Sequence, residues 1–335
     1  MIDNITQFLT KNGNLIVFTT YGLALLASVI VIVYSNIKEV FKKVYLPFFL
    51  FWFLISVLVV ESVQKIVLML ISIFPLAVLI GFSFKLIFST YDTYLKNRSH
   101  ITRQLLLYFI ALTVFMSYSL FFVLYSYFTD FNLDTDIIRF FGLNLLIIWV
   151  LLLISSFYTS KAIFFPDNTS SKYVEFFLVF LSGAMLGRML SLSNLTLLDF
   201  SYYGVEFEII NILSDYNILL AFILMFTLVF FYNLYYSIKT YYKINKLFSE
   251  KNVKIDPVTI PRLKLAVYSN IFFLLLNFSI FIVIITNNLY ISLAFYGLFV
   301  LSLLVLEVTL YLAFQTPASI KQKWRRKYMN KMVLV

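Results

Sequence analysis

Apolar residues in this chain gather into runs of about 20, the number a helix needs to cross a hydrocarbon layer of about 30 Å. Nine such runs lie near residues 14–34, 44–60, 66–89, 104–128, 138–158, 173–192, 217–238, 264–286 and 291–314. The fold they predict is all-α, a polytopic membrane bundle of about nine transmembrane helices. Only Glu61 to Lys65 separates the second run from the third, so one long helix with a re-entrant piece is an alternative there. The expected organisation is an external segment 1–13, a transmembrane bundle 14–314 and a basic cytoplasmic tail 315–335. No stretch between runs is long enough to bury a core of its own.

Charge sets the orientation. With the N-terminus outside, 22 of the 26 basic residues fall in cytoplasmic segments, including the groups 239–264 and 321–331. The outside keeps Lys11, Lys65 and Arg139, together with most of the acidic residues. A missed span would invert every later loop, so this asymmetry supports both the count and an N-out, C-in orientation. The polar start of the chain lacks a basic n-region and a small-residue cleavage site, so the first run is expected to remain a span.

Composition narrows the chemistry. Residues are 62% hydrophobic and 13% charged, with a mean hydropathy of +0.93, where a soluble domain carries about 25% charged residues. Cysteine is absent and the single histidine, His100, is expected in a polar loop. That excludes disulfides, thiolate metal sites, cysteine nucleophiles and a bis-histidine haem held by this chain alone. Phosphate-binding loops, zinc-protease helices and nucleophile elbows are missing as well. No catalytic residue, metal or covalent cofactor is expected.

The remaining candidates are few. Pro75, midway along the third run, cannot donate its backbone N–H and is expected to kink that helix or act as a hinge. In the sixth run Ser182, Gly183 and Gly187 make a smooth strip, expected to pack tightly and to place that helix at the centre of the bundle. Arg188, roughly 8 Å below the outer end of the same helix, is expected to snorkel outward. It would there pair with Asp199, Glu206 and Glu208 of the long external loop, or meet an anionic or carbonyl-bearing ligand such as a quinone or a lipid headgroup. Residues 205–210 of that loop suit a short strand or an interfacial segment.

Glu307 is the one acid well inside a run, about 10 Å from the cytoplasmic end of the last helix and too far in depth from Arg188 to pair with it. It is expected to hydrogen-bond a neighbouring helix as a neutral acid, or to serve in proton relay or ion coupling. Two basic amphipathic stretches, 239–264 and the tail with Trp324, Tyr328 and Met332 among its cations, are expected to lie on anionic lipid. The first should continue the seventh helix and end at Pro257 and Pro261. Nucleic acid is not an expected partner, because the positive-inside bias accounts for the net charge of +10.

Two resemblances extend this reading. The exit from the last span, Tyr311 through Pro317 and then a basic run, looks like the way multi-helix sensory modules leave the membrane. Length, span count and the absence of ligands resemble the hydrophobic, haem-free partner subunits of archaeal respiratory b-type cytochrome complexes. That second resemblance implies a non-catalytic subunit, a haem-bearing protein partner, and quinone or lipid bound between helices. The expected functions are, in order, such a subunit in respiratory electron transfer, a secondary transporter or channel, and a stand-alone membrane sensor.

Overall fold

A helix in lipid must close all its backbone hydrogen bonds internally, so long uninterrupted helices are the economical solution for this sequence. The computed structural model describes residues 63–128, 135–166, 171–191, 196–202, 205–211, 216–249, 256–285 and 289–333. The runs at 14–34 and 44–60, and with them the alternative of a re-entrant piece, lie outside the described residues. The described residues form α1 (Val63–Asn97), α2 (His100–Phe128), α3 (Thr135–Phe164), α4 (Ser171–Ser191), β1 (Thr196–Tyr202), β2 (Val205–Asn211), α5 (Tyr216–Ser249), α6 (Thr259–Ile285), α7 (Leu289–Phe314) and α8 (Ala318–Val333). Seven of these helices cover the last seven predicted runs, and α8 is the basic tail.

Six of them, α1, α2, α3, α5, α6 and α7, are long and apolar enough to cross a membrane. The seventh, α4, has a span's length at 21 residues. Side-chain placement points the same way. Phe88, Phe140, Phe176, Phe180 and Phe231 face outward, each more than half exposed, while Ser83, Thr113, Asn233, Asn277 and Glu307 are buried. A surface of bare aromatic rings around a core holding the polar groups suits a helical multi-pass membrane protein. In water the preference would be reversed.

Many buried hydroxyls are satisfied along their own helix. Thr113 donates to the Phe109 carbonyl at 2.7 Å, Ser182 to Leu178 at 2.6 Å and Ser279 to Leu275 at 2.6 Å. Each is a back-bond to position i−4, which removes a donor from the apolar interior without a partner helix.

Cross-helix contacts fix the arrangement. Along α3 and α5, Trp149 stacks on Phe222 at 4.1 Å, Ser156 meets Asn233, and the Thr240 hydroxyl donates to the Phe164 carbonyl at 3.2 Å. Both numbers rise together, so these helices run parallel. Likewise Ser83 meets Glu307 and Thr90 meets Gln315, so α1 and α7 run parallel. Helices α6 and α7 run antiparallel: Phe278 packs on Phe295 at one end, and Arg262 reaches Phe314 at the other.

Three local features depart from expectation. His100 is the first residue of α2 rather than part of a loop, and only Arg98 and Ser99 separate it from α1. Arg98 makes that tight turn with φ of 44°, the left-handed conformation that usually ends a helix, and its N–H bonds the Tyr94 carbonyl at 2.7 Å. Secondly, α5 stops at Ser249, and Pro261 opens α6 instead of ending α5. A first-turn proline costs nothing there, because its missing N–H would be unpaired anyway.

The third departure is from the all-α reading. The segment between α4 and α5 contains an antiparallel hairpin, with residues 205–210 lying on the second of its two strands. The alternation of residues there signalled a strand, whereas the partner strand β1 had no comparable signal. The register sets Asp199 directly opposite Glu208 and Ser201 opposite Glu206. The hairpin backbone touches α3, α6 and α7.

At the other end, α7 leaves the bundle through a clamp. Arg262 donates to the Thr316 hydroxyl at 3.1 Å and the Phe314 carbonyl at 2.9 Å, placing a cation at the C-terminus of α7. Gln315 donates to Thr90 at 2.7 Å and to the Leu86 carbonyl at 3.2 Å. Arg325 of α8 pairs with Asp256 at 3.0 Å, tying the tail to the start of α6.

Two outcomes are expected. Phe157 is fully buried and Phe231 is 62% exposed. Phe157→Ala should therefore lower the thermal midpoint in detergent, by a cavity cost on the order of 3 kcal/mol, while Phe231→Ala leaves it within error. The second concerns Asp256, whose carboxyl is held below the usual range, first by the hydrogen bond from Arg325 and then by the Val258 N–H. A lowered folded value gives stability that is present above about pH 4 and lost as pH falls through that value. Protease cleavage of α8 should hence be constant from about pH 7 to 5 and rise below about pH 4. Asp256→Asn should show the raised cleavage at neutral pH. Both side chains are about half exposed, so the effect is small.

Candidate intramembrane polar site

Glu307 lies two turns before the end of α7 and is 0% exposed. The Ser83 hydroxyl of α1, itself fully buried, donates to its Oε1. Its second oxygen, Oε2, has no hydrogen-bond partner among the described residues. Tyr108 of α2, 4% exposed, stands within electrostatic reach of the carboxyl. One turn further along α7, Tyr311 packs edge-on against Phe82 at 5.3 Å, and the Lys85 ammonium lies over its ring at 5.5 Å. A buried carboxyl with one oxygen held and the other unpartnered among the described residues is positioned to exchange a proton or hold a small cation.

Beside it lies a cavity of about 20 Å³ of space open to the centre of a water molecule, enough for one water. Its polar lining comes from Tyr108 on α2, Ser156, Thr159 and Ser160 on α3, and Ser269 and Asn270 on α6. Leu306 and Leu310, flanking Glu307, supply the α7 wall. Asn270 is 8% exposed and its Nδ2 has no hydrogen-bond partner among the described residues. Asn233 of α5 extends the cluster to a fifth helix: its Nδ2 reaches the Ser156 hydroxyl at 3.4 Å, and its Oδ1 is unpartnered among the described residues.

The other sequence candidates do not join this cluster. Arg188 sits exposed in the last turn of α4. Asp199, Glu206 and Glu208 are on the hairpin, where strand alternation places them on one face, and their side chains lie outside the described residues. Helix α1 runs without interruption through Pro75, whose own side-chain surroundings also lie outside them.

The strip on α4 divides. Ser182 faces α5, with its hydroxyl 3.8 Å from the Met225 sulfur. Gly183 and Gly187 are exposed and, among the described residues, meet nothing within 4 Å where a side chain would begin. Among the described residues α4 packs on α5 and α3. Two adjacent glycines on a face say only that a close neighbour is allowed there. An ion pair between Glu175 and Lys161 of α3, overlooked in the sequence, ties down the start of this helix.

Sequence reasoning found Glu307 and missed Ser83, Tyr108, Asn233 and Asn270. The available signal was uncharged: asparagines inside apolar helices, which were passed over in a search for charge. No group of metal-binding side chains occurs among the described residues. Comparisons with protein-family models, curated proteins and solved structures find no match for this chain.

Proposed function

We propose that the chain is an ion-coupled carrier, a secondary transporter or channel, in which Glu307 takes up and releases the coupled proton or cation. The observation that carries this reading is the Glu307 carboxyl itself, fully buried, held by Ser83 through one oxygen and open at the other. An acid inside a membrane helix costs roughly 2.5–3.5 kcal/mol. A serine or glutamine could link α7 to α1 for less, so an acid is favoured where its proton matters. The reading includes nine spans, the N-terminus outside, and α8 on the cytoplasmic face of the cell membrane, where its cations meet anionic lipid.

The test is flux into proteoliposomes holding a trapped pH-sensitive dye, with a pH step imposed outside. Wild-type protein should collapse the gradient faster than empty vesicles, and Glu307→Gln, close in shape, should slow it at least tenfold. Wild-type flux equal to that of empty vesicles, or an unaffected Glu307→Gln, would overturn the proposal.

A second reading keeps one observation of its own. The outer face of α4 is uncovered among the described residues, with Tyr173, Phe176, Phe177, Val179 and Phe180 each more than half exposed beside the exposed Gly183 and Gly187. Such a face suits a helix of another subunit, as in a non-catalytic subunit of a respiratory complex. Quinone or lipid would then bind near Arg188 and the hairpin acids Asp199, Glu206 and Glu208. Gentle extraction from the native membrane should in that case bring out stoichiometric partners with a haem absorption spectrum. A colourless protein extracted alone would remove this reading.

A further inference from the structure

The polar stripe between α3 and α6 differs at its two ends. Asn270 and Asn277 are seven residues apart on α6 and so share a face, as do Trp149 and Ser156 on α3. At the end toward the hairpin, Asn277 is fully buried and satisfied. Its Oδ1 accepts the Trp149 indole N–H at 2.9 Å, and its Nδ2 donates to the Phe273 carbonyl at 2.6 Å. Trp149 in turn stacks on Phe222 at 4.1 Å. The Trp149–Asn277 pair plugs this level, with its polar groups satisfied by the protein itself. Two turns away, toward α8, the same residue type borders a cavity with its donor unpartnered among the described residues. That cavity is also lined by Phe164 and Phe314, the last residues of α3 and α7, and by Ala266 near the start of α6. It therefore sits between Glu307 and the bundle end that bears the tail.

We infer that this cavity is the hydrated entry toward Glu307 from the α8 end of the bundle. The inference rests on the reading of Glu307 as an exchanging group and adds the side and route of access. A water there can accept from the Asn270 Nδ2 and bond the hydroxyls of Ser156 and Ser160, giving it the polar partners a buried water needs. Tyr108 forms part of the cavity wall, and Leu306 and Leu310 bring that wall to the turns of α7 on either side of Glu307. When a proton enters, a hydronium arriving through the cavity gives one proton to the Glu307 carboxylate, leaving water and a neutral acid. Release runs in reverse. One turn from Glu307 along α7, Tyr311 has the Lys85 ammonium of α1 over its ring at 5.5 Å.

The chain contains no cysteine, so single cysteines report without background. Ser160→Cys and Ser269→Cys border the cavity, while Ser279→Cys lies beyond the Trp149–Asn277 plug. Silver ion, small enough for a one-water cavity, is applied to sealed vesicles of each orientation, assigned by protease cleavage of α8. Free thiols are then counted with a maleimide after denaturation. With the α8 face outward, Ser160→Cys and Ser269→Cys should be blocked at least tenfold faster than Ser279→Cys, and faster than in the opposite orientation. Equal rates at all three positions, or faster blocking from the hairpin side, would overturn the entry route even where Glu307-dependent flux persists. Absence of Glu307-dependent flux in wild-type vesicles would instead mark failure of the underlying reading.

Discussion

A carboxyl group surrounded by apolar helices has no water to solvate it, and whatever meets it must come from the helices themselves. In this chain the group is Glu307 and the answer is Ser83, a fully buried hydroxyl 224 residues away in sequence. That meeting requires α1 and α7 to lie side by side in parallel, with their registers matched from Ser83 and Glu307 to Thr90 and Gln315. It leaves the second carboxylate oxygen without a hydrogen-bond partner among the described residues. Much of the interior arrangement can be understood as a consequence of accommodating this one acid.

Packing forces alone would not select that arrangement. Lipid tails are as apolar as leucine, so van der Waals fit and interhelical hydrogen bonds must specify which helices adjoin. The specifying bonds here are widely spread: Trp149 to Asn277, Asn233 to Ser156, Thr159 to the Gln104 carbonyl, and Arg262 to the end of α7. The Arg262 and Gln315 clamp also holds the last turns of α7 to α6 and α1. It thereby restrains Glu307, two turns deeper, against sliding along its neighbours.

What the sequence made legible follows from what each signal measures. Run length measures lipid solvation, and it placed α1 to α7, with α1, α3 and α5 each continuing past the predicted end of the run. Glu307 stood out because a buried charge is costly enough to be conspicuous in isolation. Ser83 and Asn270 did not, since a serine or asparagine in a helix reads the same whether it bonds its own backbone, as Ser279 does, or serves a neighbour. The glycines of α4 are ambiguous for a related reason: Gly183 permits a close approach but does not itself supply the helix that makes one. The hairpin was half visible, because alternation marks Val205 to Ile210 while its pairing with Thr196 to Tyr202 is a long-range choice.

The most direct test of the central pairing uses the absence of native cysteine. A Ser83→Cys/Glu307→Cys variant carrying a protease site within 250–255 would be treated in native membranes with a short bifunctional thiol reagent, then cleaved. The structure predicts that the two fragments stay joined, and that a Phe88→Cys/Glu307→Cys control, with Phe88 turned outward, separates. Fragments that separate equally in both variants would show that α1 and α7 do not meet at Glu307, and the account of the site would fall with them.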